Sequence, residues 1–167
     1  MSVLPLVTVA PLLALLANVA LWAGSQVLAG YAAHRVPPSR LDENRGILRL
    51  RQFEADGRWY ERRLRIGRWK DRLPEAGAFF AGGMSKRSLP GRSESGLERF
   101  AAETRRAELA HWWSFACLPV CVVWNGLPGV VLMTAYGLVV NLPLIAIQRY
   151  NRARIERILR TRAARVG

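Results

Sequence analysis

Residues 112–147 read WWSFACLPVCVVWNGLPGVVLMTAYGLVVNLPLIAI, with no Asp, Glu, Lys, Arg or His among them. A helix needs about 20 apolar residues to cross the hydrocarbon of a bilayer, so this block is too long for one crossing. The break falls at Trp124-Asn125-Gly126-Leu127-Pro128-Gly129. Gly, Pro and Asn punctuate turns, and Trp suits the membrane–water interface. The expectation is a hairpin with one span over about 109–124 and another over about 128–147. The first member is short. It either begins in the charged helix ahead of it or lies against the other helices in thinned bilayer.

Residues 1–33 are equally free of charge. A helix from about Val9 to Ala32 is long enough to cross with some tilt. A secretory signal peptide is the alternative, but Met1–Ala10 carries none of the basic residues its start requires. All charge lies elsewhere: residues 34–111 hold 18 Lys+Arg against 11 Asp+Glu, and residues 148–167 hold 7 against 1. That partition reconciles 51% hydrophobic content with a net charge of +13 in 167 residues. It excludes a soluble nucleic-acid binder despite the basic balance. Cys117 and Cys121 lie inside the apolar block and read as small apolar residues, not as a disulfide framework.

Basic segments mark the cytoplasmic side. Three spans put both basic regions on that side. The expected protein is thus an all-α, multi-pass integral membrane protein of the plasma membrane, one domain overall. Its parts are an N-terminal transmembrane span (1–33), a cytoplasmic loop with amphipathic helices (34–108), a transmembrane hairpin (109–147) and a basic cytoplasmic tail (148–167). The Ser/Gly/Arg stretch Gly82–Gly96 reads as a mobile loop.

In the loop, Ile66, Trp69 and Leu73 recur at i, i+3 and i+7, flanked by Arg65, Arg68, Lys70 and Arg72. This predicts a basic amphipathic helix ended by Pro74. Such a helix lies naturally among lipid headgroups. It is either a solvated membrane-surface face or an anion site for a phosphorylated co-substrate such as an acyl-CoA, since guanidinium groups grip phosphate in a bidentate fork.

Residues 97–113 contain good helix formers and no breaker. Glu103, Thr104, Glu108 and His111 share one strip of that helix, and Arg105 and Arg106 point away from it. The strip suits a His general base oriented by a carboxylate. Alternatively the two carboxylates pair with arginines of the loop or tail. Only one Glu-x-x-His copy exists, and a di-metal bundle needs two, so no metal is expected.

In the last span, Asn141 and Pro143 lie within apolar sequence. A bare amide in hydrocarbon is costly, so Asn141 should bond a neighbouring helix or the backbone that Pro143 disrupts. Gln148 to Arg154 then emerges as a dense polar cluster on the same side as Glu108 and His111.

Three blocks recur in an order and spacing already known. They are Arg68-Trp69-Lys70 with Leu73-Pro74; Glu103-Thr104-Arg105-Arg106-Ala107-Glu108-Leu109-Ala110-His111-Trp112; and Asn141-Leu142-Pro143-Leu144-Ile145 leading to Gln148-Arg149-Tyr150-Asn151-Arg152. With them the chain resembles the glycosyl-4,4'-diaponeurosporenoate acyltransferases of bacterial carotenoid biosynthesis, from about Phe53 to Arg157. It departs from the staphylococcal member in lacking a basic start, and in the 81–96 loop and the 125–129 turn.

The resemblance implies O-acylation. A fatty acyl group would move from acyl-CoA or another activated donor, with no bound cofactor, to a sugar hydroxyl of a glycosylated terpenoid or related glycolipid in the bilayer. That chemistry requires a base, an oxyanion stabiliser and a donor site. The expected catalytic group is His111 with Glu108 or Glu103. Asn141 or Gln148 is expected at the oxyanion, and Arg105, Arg106, Arg149 and Arg152 at the donor, with Trp69, Lys70, Tyr150 and Asn151 completing the substrate site. No Gly-x-Ser-x-Gly elbow is present, so the alcohol is expected to attack directly. The readings from other classes are a non-catalytic membrane scaffold of a lipid or carotenoid pathway and, more weakly, a transporter subunit.

Overall fold

A computed structural model describes residues 5–54, 56–73 and 93–166, and among these it is all-helical. The chain divides into two units, residues 1–35 with 110–144, and residues 36–109 with 145–167.

The first unit is the apolar one. Its first helix, α1 (Pro11–His34), starts with Pro near its first turn, where a missing N–H costs nothing. Its 24 residues give roughly 36 Å of rise, enough for the ~30 Å of hydrocarbon. The two-turn helix α2 (Arg58–Arg63) and most of α3 (Glu94–Ser114) belong to the second unit. The last turn of α3 reaches the first unit and stops at Ser114.

The expected span over 109–124 is not one helix. After α3 come a 3-10 turn (Phe115–Cys117), the single turn α4 (Leu118–Cys121) and a non-helical stretch to Gly126. Pro119 lacks the N–H that would bond the Phe115 carbonyl, which forces the break. The other half of the expected hairpin opens α5 (Leu127–Val166), a helix of 40 residues with Pro143 inside it. The basic tail continues this helix without interruption, as its Arg, Ala, Ile and Leu content favours.

Among the described residues, α1 and α5 are the two helices long and apolar enough to cross a membrane. No more than 22% of the most apolar window of either is buried. Leu12, Leu16, Val19, Val27 and Leu28 on α1, with Val131, Leu132 and Val139 on α5, all stand exposed. An apolar helix left uncovered in this way has the surface that lipid requires, whereas the core helix of a soluble protein would be covered.

Inside the first unit, Trp22 is buried edge-on against Phe115 and Tyr136, with ring centroids 6.3 and 5.5 Å away. Gly137 makes room for it: a Cβ there would come within 2.4 Å of the Trp22 ring. Gly137→Ala should therefore destabilise the protein by about 1–3 kcal/mol through overpacking. Thermal unfolding in detergent checks this, with Gly24→Ala as control, because a Cβ at Gly24 meets nothing within 4 Å.

Among its described residues, the second unit has two apolar clusters. Tyr60, Ile66, Ile147 and Tyr150 form one, with Trp59, Trp69, Leu73 and Ala146 against them. Leu97, Phe100, Ala101 and Ile155 form the other, where α3 meets the C-terminal half of α5. The expected amphipathic helix at 66–73 is instead two 3-10 turns, Ile66–Arg68 and Lys70–Arg72, behind a left-handed Arg65 (φ 47°). Ile66, Trp69 and Leu73 still share one apolar cluster, because i and i+3 also align in a 3-10 turn. Pro74 and most of the expected mobile loop, up to Arg92, lie outside the described residues; the last residues of that loop open α3.

Candidate active site

In the first unit, polar side chains gather in two layers. Near the N-terminal half of α1, Asn18 and Asn125 pair their amides reciprocally at 3.1 and 2.8 Å, and Trp124 Nε1 donates to Asn18 Oδ1 at 2.9 Å. Eight residues further along α1, or about 12 Å of rise, lies the second layer. There Asn141 Oδ1 accepts from Gln26 Nε2 at 3.0 Å, and the Ser114 hydroxyl stands 3.1 Å from it. His111 Nδ1 lies 3.0 Å from the same oxygen.

The Asn141 amide has one orientation, because its Nδ2 donates to the Gly137 carbonyl at 3.0 Å. Its Oδ1 is then an acceptor only, so His111 Nδ1 is the donor. In the neutral imidazole this leaves Nε2 as the basic nitrogen. Asn141 is fully buried and His111 half-buried. Asn141 thus reaches a neighbouring helix, as expected. Its backbone bond goes to the Gly137 carbonyl, not to Val139, whose usual i+4 partner is Pro143.

The second unit holds the carboxylates. Glu108 is completely buried, and its two oxygens accept from Arg149 Nη1 and Arg152 Nη2, both at 2.6 Å. Arg149 grips Glu54 bidentately, at 2.8 and 2.7 Å, and donates to the carbonyls of Ile47 and Arg49 at 3.1 and 2.8 Å. All five of its N–H groups are therefore matched. Arg152 is also fully buried; its Nη2 bonds Glu108 and the Leu48 carbonyl, while its Nε and Nη1 find no partner among the described residues. Arg105 bonds Glu156 at 3.0 Å, Asn44 at 2.9 Å and the Leu41 carbonyl at 2.9 Å. Arg106 pairs with Glu103 at 3.3 Å, one turn away on α3. Thr104 bonds back to the Ala101 carbonyl.

Glu54 closes this network. Burial works to raise its carboxyl, but the Arg149 guanidinium, the Tyr60 hydroxyl and the Arg51 N–H outweigh that and hold it at about 2, against an ordinary 4.5. Burial and the Glu54 carboxylate together push the Tyr60 phenol up. A carboxyl lowered on folding stabilises the folded state fully above its ordinary value and loses that effect as pH falls through the folded one. The melting temperature in detergent should accordingly fall between about pH 4.5 and pH 2. Glu54→Gln should melt lower at neutral pH and lose less over that acid range.

The remaining expected residues are dispersed. Tyr150 donates to Glu61 at 2.9 Å, Trp69 Nε1 donates to the Leu64 carbonyl at 2.9 Å, and Lys70 pairs with Asp71. Gln148 and Asn151 are half-buried on α5. Sequence reasoning missed Gln26, Ser114, Glu54, Tyr60 and Glu156. Gln26 carried a usable signal, being an amide inside an otherwise apolar span. Glu54 carried none, because its partner lies 95 residues away.

A family model described as glycosyl-4,4'-diaponeurosporenoate acyltransferase matches residues 44–161. The chain belongs to this family. Relatives of that name from Staphylococcus aureus strains RF122 / ET3-1, MRSA252 and USA300 are each 30% identical over 128 residues, covering 75% of this chain and 76% of theirs. No solved structure matches the chain. The protein is therefore an acyltransferase of the carotenoid-biosynthesis type, and its matched region includes Glu54, Glu108, His111, Ser114, Asn141, Arg149 and Arg152. Gln26 and Asn18 lie ahead of that region.

Proposed function

We propose that this chain transfers a fatty acyl group from an activated donor to a sugar hydroxyl of a glycosylated carotenoid, or a closely related glycolipid, with His111 as general base. The observation that carries the reading is the Asn141 oxygen held by Gln26 and His111 while its amide nitrogen is committed to Gly137. It turns the basic nitrogen of His111 away from Asn141.

In the step itself, Nε2 takes the hydroxyl proton as the sugar oxygen bonds the acyl carbonyl carbon. The bond from that carbon to the leaving atom, sulfur in a thioester, then breaks. The proton passes from His111 to the leaving group, which restores the base. Asn141 acts as a positioning residue here, in place of the oxyanion donor expected from sequence. Glu108 and Glu54 hold Arg149 and Arg152, and so support the fold around α3 and α5 within the second unit.

The protein acts at the cell membrane. α1 and α5 provide two crossings, and residues 110–126 make a third, broken passage between the two polar layers of the first unit. The basic 34–108 and 148–167 regions then face the cytoplasm, where activated acyl donors are made. Cells that make the glycosylated carotenoid test this, with and without the chain, by mass spectrometry of the lipid extract. The reading expects a fatty-acyl mass added to the sugar only when the chain is present. An unchanged glycoside, with the protein inserted in the membrane, would overturn it.

A further inference from the structure

We propose that a cavity in the second unit, lined by Arg62, Arg65 and Arg68, binds phosphoryl groups and receives the phosphorylated handle of the acyl donor. The cavity is a wide-open surface depression of about 490 Å³, its three arginines exposed to solvent, and Glu61, Gly67 and Tyr150 complete its lining. Small-molecule sites run from about 300 to 1,000 Å³, so there is room for more than one phosphate.

The chain builds this cup in a specific way. α2 presents Arg62 in its last turn. Arg65 then takes the left-handed conformation (φ 47°, ψ 39°), unusual for a residue with a side chain. It reverses the path, so that the following 3-10 turn returns Arg68 to the same cavity. Ile66, with no exposed surface, pins the reversal into the cluster of Tyr60, Ile147 and Tyr150. Backbone strain held in place by a buried neighbour is a frequent mark of a ligand site. Gly67 has open space where a side chain would be, so a ligand can approach the backbone there.

The charges fit the same reading. Arg105, Arg149 and Arg152 are buried and each is paired with a carboxylate. Among the described residues, no ion pair engages Arg62, Arg65 or Arg68. Glu61 is the one acid in the lining, and its carboxylate accepts from the Tyr150 hydroxyl at 2.9 Å. Three guanidinium groups around one cavity repel one another, and a polyanion relieves that repulsion through bidentate contacts. Lys70 and Arg72, grouped with Arg65 and Arg68 on sequence, do not line the cavity.

The assignment of the phosphoryl group to the donor rests on the acyl-transfer reading; a lipid headgroup offers the same chemistry. The test uses the full chain, purified in an uncharged detergent, and its triple variant Arg62→Gln/Arg65→Gln/Arg68→Gln. Arg63→Gln, exposed on α2 outside the cavity, is the control. Coenzyme A and a short-chain phosphatidylglycerol are titrated separately, and binding is read by calorimetry and by the rise in melting temperature.

The proposal expects coenzyme A to bind the unmodified chain and the control at least ten-fold tighter than the triple variant, with affinity falling as salt rises. It also expects the triple variant to raise the KM for acyl-CoA at least ten-fold with kcat little changed. Equal coenzyme A affinity in all three proteins would overturn it. So would a site that holds phosphatidylglycerol but not coenzyme A. Binding without any acyl transfer would leave the site standing and sink the functional reading. Unaltered transfer kinetics in the triple variant would do the reverse.

Discussion

His111→Ala should lower the rate of acyl transfer by about 10²–10⁴-fold while the protein stays folded and inserted. The imidazole is half-buried, and the Asn141 oxygen it bonds also accepts from Gln26. The melting temperature of the variant separates loss of the base from loss of the fold. The check is the initial rate at matched membrane abundance, with the melting temperature measured alongside. Asn141→Leu separates positioning from packing. It keeps the volume but removes the oxygen that holds His111 Nδ1, so kcat should fall at least ten-fold while the KM for the acyl donor holds. A residue that only filled space would leave kcat in place.

Glu108→Gln should act the other way, on stability first. The carboxylate has no exposed surface and answers two arginines, one of them fully buried. Removing one partner of a buried ion pair costs about 3–5 kcal/mol, because the remaining charge has no access to water. Against a total stability of about 5–15 kcal/mol, that loss is a large fraction of what holds the fold together. The expected result is a large fall in melting temperature and in the protein recovered from membranes. Adding Arg152→Met should recover part of the loss by removing one stranded charge. A Glu108→Gln protein of normal stability with its activity abolished would instead make Glu108 a member of the catalytic group.

The apolar and basic partition was legible in the sequence, because hydrocarbon thickness sets a length that composition alone reveals. α1 matches its expected limits within two residues. The helix break after Ser114 had its cause in plain view at Pro119, but the reading gave its weight to the turn at Asn125. Ile66, Trp69 and Leu73 were correctly gathered on one face, and wrongly made a helix, because their spacing fits both helix types. The pairing of Glu103 and Glu108 with arginines was one of two alternatives, and it is what the structure contains. Choosing between them needed the 3-10 turn Gly46–Leu48, which brings the carbonyls of Ile47, Leu48 and Arg49 to Arg149 and Arg152. Gln26 meets Asn141 across 115 residues, a distance no local pattern encodes.

The most direct measurement is acyl transfer by the purified chain alone, reconstituted in phosphatidylcholine vesicles with a glycosylated carotenoid and an acyl-CoA. Mass spectrometry of the extracted lipid reads the product. The account predicts a fatty-acyl ester on the sugar with the unmodified chain, and almost none with His111→Ala at equal incorporation. Equal product from both would remove His111 as the base. No product from either, although a crude membrane extract restores acylation, would contradict the central claim and leave the chain as a scaffold for another enzyme.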